Sequence, residues 1–119
     1  MMNAAFRRSE ALVTLENYAP TIVAHLALLQ FFPDHTACNH WCAELATFEK
    51  VIRRYNKGKK GSSNLNPDMI QKSLEDEMFC ADDEERIESY IHAKGLPLSE
   101  DPDWNLVRKA IHEFAQRFR

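Results

Sequence analysis

Four side chains of the kinds that bind soft metal ions lie within eight residues of this 119-residue chain. They are His35, Cys38, His40 and Cys42, and Trp41 lies among them. Zinc prefers tetrahedral coordination by cysteine sulfur and histidine nitrogen, so a zinc site is the chemistry that these residue types suggest. Successive residues of an α-helix are about 100° apart, so His35, Cys38 and Cys42 would share one face while His40 points away.

Three ligands from one helix are an unusual supply for zinc. The sequence contains no paired Cys-x-x-Cys motif, and a fourth ligand would have to come from His25, Cys80, His92 or His112. A free cysteine at the edge of an apolar helical face more commonly serves as a small buried residue. We therefore expect no bound metal and no other cofactor, and His35, Cys38 and Cys42 remain the weak candidate ligands.

A second candidate site is a cluster of cations that we call the basic group. Its members are Lys50, Arg53, Arg54, Lys57, Lys59 and Lys60. Cations at this density can contact the phosphates of a nucleic acid. However, the net charge is −3, acidic residues follow between Glu75 and Glu85, and Tyr55 is the one aromatic nearby for base stacking. Nucleic-acid binding, as an accessory subunit, is therefore the alternative function and not the first.

One arginine–histidine pair resembles the short motif of helical ribonucleases of the higher-eukaryote-and-prokaryote nucleotide-binding family. Arg86 and His92 are separated by five residues, although Ile87 follows the arginine where that family usually has a polar residue. The chain has no glycine-rich phosphate loop, no glycine-flanked serine nucleophile and no helical histidine pair with a glutamate base. A ribonuclease-like or metal-binding protein is therefore the third possibility, and an enzyme is the less favoured interpretation.

Composition and periodicity predict that these residues lie on helices. Ala, Leu, Glu, Lys, Arg and Gln are plentiful while Gly is scarce, which favours helix over sheet. The almost wholly apolar run Thr21–Phe32 predicts a buried central helix, with His25 at the edge of the core beside a hydrogen-bond partner. Its twelve residues are fewer than the about 20 that cross a bilayer, so we expect no membrane partner. Pro20 either kinks one long helix or begins a second.

Four further helices are expected along the chain. Pro33 and Asp34 predict the end of the apolar helix and the start of a long one reaching about Tyr55. Its core stripe is Ala37, Trp41, Leu45, Phe48, Ile52 and Tyr55. Asn66-Pro67-Asp68 and Asp101-Pro102-Asp103 are helix starts, and Asp82–Glu85 begins a helix that ends at Gly95. The sequence thus predicts an all-α protein, an irregular bundle of five or six helices, with residues 1–119 as a single helical domain.

The last predicted helix carries a narrow apolar stripe at steps of three and four residues: Trp104, Val107, Ile111, Phe114 and Phe118. More apolar face than one small core can hide indicates an interface, and this stripe is the candidate. The favoured function is a non-enzymatic helical interaction module, as a homo-oligomer or as a subunit that binds a protein partner. Three irregularly spaced cysteines are typical of reduced thiols, which predicts a cytoplasmic protein.

The order of several landmarks resembles a bacterial helical family, the domain of unknown function twenty-nine. An apolar helix leads to a tryptophan-bearing helix through His25-Leu26, Leu29-Gln30, Pro33 and Trp41. A proline-started helix follows, and the last landmarks close the pattern: Asn66-Pro67-Asp68-Met69 with Leu74 and Ala81, Gly95-Leu96-Pro97, and Pro102-Asp103-Trp104. The similarity covers Ile22–Trp104, and the chain departs from the family in its Gly/Ser/Lys loop and its N-terminal segment. The resemblance implies an all-helical fold and no established activity.

Overall fold

The computed structural model describes residues 10–56, 65–79 and 83–118. They form five α-helices: α1 (Glu10–Phe31), α2 (Cys38–Asn56), α3 (Pro67–Phe79), α4 (Asp83–Ala93) and α5 (Trp104–Gln116). No strand occurs within these ranges. The all-α prediction is confirmed, and five helices agree with the expected five or six. The assignment of residues 1–119 to a single domain stays a prediction.

Helix α1 lies at the centre of the bundle. Each of the other four helices packs against it, and α3 also packs against α4 and α5. Seven consecutive residues, Ile22–Leu28, are each at most 6% exposed. A helix that is apolar on every side can reach this burial only when neighbours cover it all round, as the run Thr21–Phe32 predicted.

Pro20 lies inside α1, which is one continuous helix of 22 residues rather than two. The sequence-based argument that the apolar run is too short to cross a bilayer is therefore wrong. By length and composition, Leu12–Phe31 is long and apolar enough to cross a membrane. About half of that span is buried by the protein itself. The core helix of a globular bundle passes the same test, so the span alone does not indicate a membrane.

Helix α2 begins at Cys38, four residues later than the predicted start at Asp34. Residues 32–37 form turns, in which the N–H of His35 donates to the carbonyl of Phe32 at 3.1 Å. The His35 side chain then accepts from the N–H of Ala37 at 2.9 Å. A side chain that bonds its own neighbouring backbone competes with helix formation, which explains the late start. Beyond it, Trp41, Leu45, Phe48 and Ile52 are buried as predicted.

The two proline-containing helix starts are confirmed in detail. Asn66 Oδ1 accepts from the N–H of Met69 at 2.8 Å, and Pro67 is the first residue of α3. Asp103 caps α5 by accepting from the N–H of Asn105 at 3.1 Å. Each carboxylate or amide oxygen satisfies a donor that has no partner within the helix. The chain after α4 reverses at Gly95, whose φ of 74° is readily available to glycine alone.

The apolar stripe of α5 is used inside the chain. Val107 and Ile111 are 0% exposed, Phe114 2% and Phe118 6%, because α1 and α3 cover this face. Trp104 is half-buried and meets the ring of Phe31 edge-on, with centroids 5.3 Å apart. The structure therefore corrects the expectation that the whole stripe is free for an intermolecular interface, and any interface must use mainly other residues.

Replacing Pro20 with alanine is expected to stabilise the protein. Proline lacks the N–H of a helical residue and its ring crowds the preceding turn, a penalty of about 3 kcal/mol in a helix interior. Part of that gain is offset by the greater freedom of the unfolded chain. Urea unfolding followed by circular dichroism should show the free energy of unfolding rise by about 1–3 kcal/mol.

The matched control is Pro67→Ala at the first position of α3, where proline is well tolerated. This change should leave the free energy of unfolding unchanged or slightly lower. A similar decrease in the free energy of unfolding of both variants would show that α1 is not a regular helix at Pro20.

Candidate functional site

The histidine and cysteine side chains of residues 35–42 do not converge. His35 precedes α2, and its ring stacks on Trp41 with centroids 5.0 Å apart. The ring of His40 faces Glu44, with 3.5 Å between Nε2 and Oε1. In the parts of the chain that the structure describes, no three His, Cys, Asp or Glu side chains are placed to hold a metal ion. The expected shared helical face is corrected, because the helix begins after His35.

The two cysteines of α2 have different surroundings. The thiol of Cys38 is half-buried and lies 3.2 Å from the carbonyl oxygens of both Phe32 and Pro33, to which its hydrogen is donated. These two contacts with the backbone join the start of α2 to the end of the α1–α2 connection. Cys42 is exposed and opens onto a surface cleft.

This cleft has a volume of about 150 Å³ and lies between α1, α2 and α5. Its floor consists of apolar side chains from all three helices: Leu26, Leu29, Leu45, Ala110 and Phe114. Its rim is polar and consists of Gln30, Cys42, Glu113 and Arg117. The cleft exists because α2 and α5 both pack against α1 but not against each other. It is a place where the core of the described residues meets solvent across three helices.

Two arginines that share one carboxylate close one end of the cleft. Arg117 Nη1 donates to Glu49 Oε1 at 3.2 Å, and Arg53 Nε donates to Glu49 Oε2 at 3.0 Å. Arg53 also donates to the backbone carbonyl of Arg117, and its guanidinium lies 5.0 Å from the ring centroid of Phe118. Partly exposed ion pairs contribute at most about 1 kcal/mol each, but together they tie α2 to the turn after α5.

The basic group is only partly available to a ligand. Lys50 and Arg54 are exposed on α2, whereas Arg53 is held by Glu49 and Phe118. Lys57, Lys59 and Lys60 lie outside the described residues. The described members thus provide two exposed cations on one helix, fewer than a phosphate-binding surface normally uses.

The two residues of the arginine–histidine pair both lie in α4. His92 is exposed in the last turn of α4, and the side chain of Arg86 lies outside the described set. His112, one of the residues considered as a fourth zinc ligand, links α5 to α3. Its Nδ1 lies 2.8 Å from Gln71 Oε1. The ribonuclease-like possibility stays a prediction.

His25 is the one buried polar side chain of the described core, at 5% exposure. Its Nδ1–H donates to the carbonyl of Thr21 at 2.8 Å, which confirms the predicted core-edge histidine with a hydrogen-bond partner. The ring lies between Phe48 of α2 and Tyr90 of α4, with centroid distances of 6.0 and 6.2 Å. Burial lowers the pKa of His25, an effect that outweighs the hydrogen bond to Thr21 and the nearby charge of Glu44.

The ion-pair cluster that closes one end of the cleft could be predicted only in part from the sequence. The spacing of Glu49 and Arg53 by four residues is a local signal for a helical ion pair. The contact of Glu49 with Arg117 spans 68 residues and depends on how α5 packs, so no local pattern contains it.

No family model, no curated protein and no solved structure matches the chain. The resemblance to the domain of unknown function twenty-nine therefore stays a prediction.

The burial of His25 predicts that the protein loses stability in mild acid. Because the folded-state pKa is below the ordinary value of 6.5, the unfolded chain binds a proton first as the pH falls. The contribution of neutral His25 to the free energy of unfolding is fully present above pH 6.5. It is lost progressively as the pH falls to the folded-state pKa of His25. Between pH 7.5 and 5.5 this loss is at most about 1.4 kcal/mol, measured by urea unfolding at each pH.

His25→Phe should remove most of this pH dependence, since phenylalanine fits an aromatic site and does not titrate. His92→Gln, at an exposed position, is the control and should behave as the wild type. An unchanged pH dependence in His25→Phe would contradict the assignment.

Proposed function

We propose that this chain is a non-enzymatic helical interaction module that binds a protein partner through the cleft between α1, α2 and α5. The observation that carries the proposal is the composition of the cleft. Five apolar side chains from three helices line its floor, and polar groups make up slightly more than half of its accessible surface. Protein interfaces combine such an apolar centre with a polar rim.

The chemistry of the rim favours binding over catalysis. Arg117 is engaged with Glu49, and no hydrogen bond joins the described thiol of Cys42 to Glu113, the carboxylate on the rim. General acid–base or nucleophilic chemistry needs a positioned pair of groups within hydrogen-bond reach. The described rim provides no such pair, so its polar groups are better suited to orient a bound segment.

Nucleic-acid binding receives less support. Lys50 and Arg54 are the exposed described cations of the basic group, and Arg53 is already paired. The net charge of −3 also gives no general attraction to phosphates. We therefore retain the interaction module as the proposal, located in the cytoplasm as the cysteines suggest, and we retain membership of the resembled family as a further proposal.

The proposal predicts that filling the cleft abolishes partner binding without unfolding the protein. Ala110→Leu places three extra carbons in the cleft, whereas Ala43→Leu makes the same change at an exposed position of α2 that does not line it. A photoreactive residue at Gln30, on the rim, would capture the bound partner in cells, and one at the exposed Lys72 of α3 would serve as a reference.

The adduct should form from position 30 and not from position 72, and it should disappear in Ala110→Leu but not in Ala43→Leu. The identified partner, purified, should then bind Ala110→Leu at least about tenfold more weakly than wild type, since a filled pocket loses its apolar contact. Thermal unfolding of both variants checks that they fold. Equal binding by Ala110→Leu and wild type would refute the proposed function.

A further inference from the structure

His25 lies at a seam between two helices that are joined mainly through side chains. Helices α2 and α4 each pack against α1, but their described backbones do not pack closely against each other. The ring of His25 lies between them, with its centroid 6.0 Å from that of Phe48 on α2 and 6.2 Å from that of Tyr90 on α4. The attachment of α4 at this seam therefore depends in part on a buried residue that can gain a charge.

Only one ring nitrogen of His25 has a hydrogen-bond partner within the described residues. Nδ1 donates to the carbonyl of Thr21 at 2.8 Å. Protonation adds an N–H and a positive charge at Nε2, and a buried charge without an acceptor is costly. The pKa of His25 is lowered accordingly, chiefly by burial. Any opening that exposes the ring to water therefore favours its protonated form.

The charges around His25 act differently on the two sides of the seam. On the α2 side, Glu44 favours the protonated ring, whereas His40, whose Nε2 lies 3.5 Å from the carboxylate of Glu44, opposes it. On the α4 side, Lys94 follows the helix and its Nζ lies 4.8 Å from the centroid of the Tyr90 ring. A protonated His25 would place a second cation beside that ring, and Lys94 disfavours the protonated form. A proton on His25 therefore repels the α4 side of the seam.

We propose that His25 is a proton-sensitive latch for α4, and that its protonation in mild acid releases α4 from α1 while α2 stays packed. Burial of apolar side chains is the main force that holds each helix. Helix α2 is held by several large buried side chains: Trp41, Leu45, Phe48 and Ile52. In the described part of α4 the buried side chains are Ile87 and Ile91, so its release costs less.

The released form exposes a second apolar surface. It consists of the face of α4 that carries Ile87 and Ile91 and the surface of α1 that this face covers. No described residue of α4 lines the cleft between α1, α2 and α5. The latch is therefore independent of the proposed function, and either can fail without the other.

Native-state hydrogen exchange at about pH 7.5 and about pH 5.5, corrected for the intrinsic exchange rate at each pH, tests the latch. In the wild type, the opening equilibrium constant of the amides of residues 87–91 should rise by up to about tenfold in acid. This is the limit for one group whose pKa in the open form is the ordinary value of 6.5. At the lower pH these amides should open at a lower free energy than those of residues 45–52 in α2.

Two variants and their controls assign the response to the latch. His25→Phe should make the opening of α4 independent of pH, whereas His92→Gln, at an exposed position of the same helix, should respond as the wild type does. Lys94→Gln removes a cation that opposes protonation, so its response to acid should be smaller. Lys72→Gln, at an exposed position of α3, should leave the response unchanged. Thermal unfolding of each variant confirms that it folds.

Three results would overturn the latch. One is an opening constant of α4 that is equal at both pH values, or a response to acid that persists in His25→Phe. Another is the opening of α2 before α4 at the lower pH, because the proton would then release the other helix. The third is opening of α4 only together with α1, because His25 would then destabilise the whole fold and not the attachment of one helix.

Discussion

The burial of α1 on all sides is the constraint on which the rest of the structure depends. Its residues Ile22–Leu28 have almost no exposed surface, and four other helices are needed to cover them. Each buried aliphatic side chain of this helix contributes about 1.5–3 kcal/mol of transfer free energy, which is the main driving force for packing α2–α5 around it. The surrounding helices are amphipathic and present their apolar faces to this centre.

The cleft follows from the same arrangement. Helices α2 and α5 each pack against α1 but their backbones do not pack closely against each other, so the surface of α1 between them is covered only in part. Leu26 and Leu29 of α1 form part of the floor that this gap leaves. Glu49, Arg53 and Arg117 bridge the gap at one end through side chains rather than through helix packing. A central helix with four neighbours therefore yields both a buried core and an open cleft beside it.

Local signals in the sequence predicted most of the fold. The apolar run of α1, the stripe of α2 beginning at Trp41 and the caps at Asn66 and Asp103 depend on residues within one or two turns of each other. The start of α2 was missed because His35 bonds to the backbone of Ala37, a competition that periodicity does not contain.

The candidate site was harder to predict because it depends on three helices that are distant in sequence. The stripe of α5 was visible, but periodicity does not say whether α1 or a second molecule covers it. The sequence suggested Cys42 as a candidate metal ligand, whereas the structure places it on the rim of the cleft. Glu113 and Arg117 are ordinary surface residues of a helix until packing places them beside Leu26 and Leu29.

Native-state hydrogen exchange of α1 tests the central claim most directly. If α1 is the buried centre, the amides of Ile22–Leu28 should exchange only when the whole protein unfolds, with opening free energies equal to the free energy of unfolding from urea. The amides of the short helix α4, which packs against α1 and α3, should open at equal or lower free energy. Exchange of the α1 amides through openings of lower free energy than those of α4 would contradict the account.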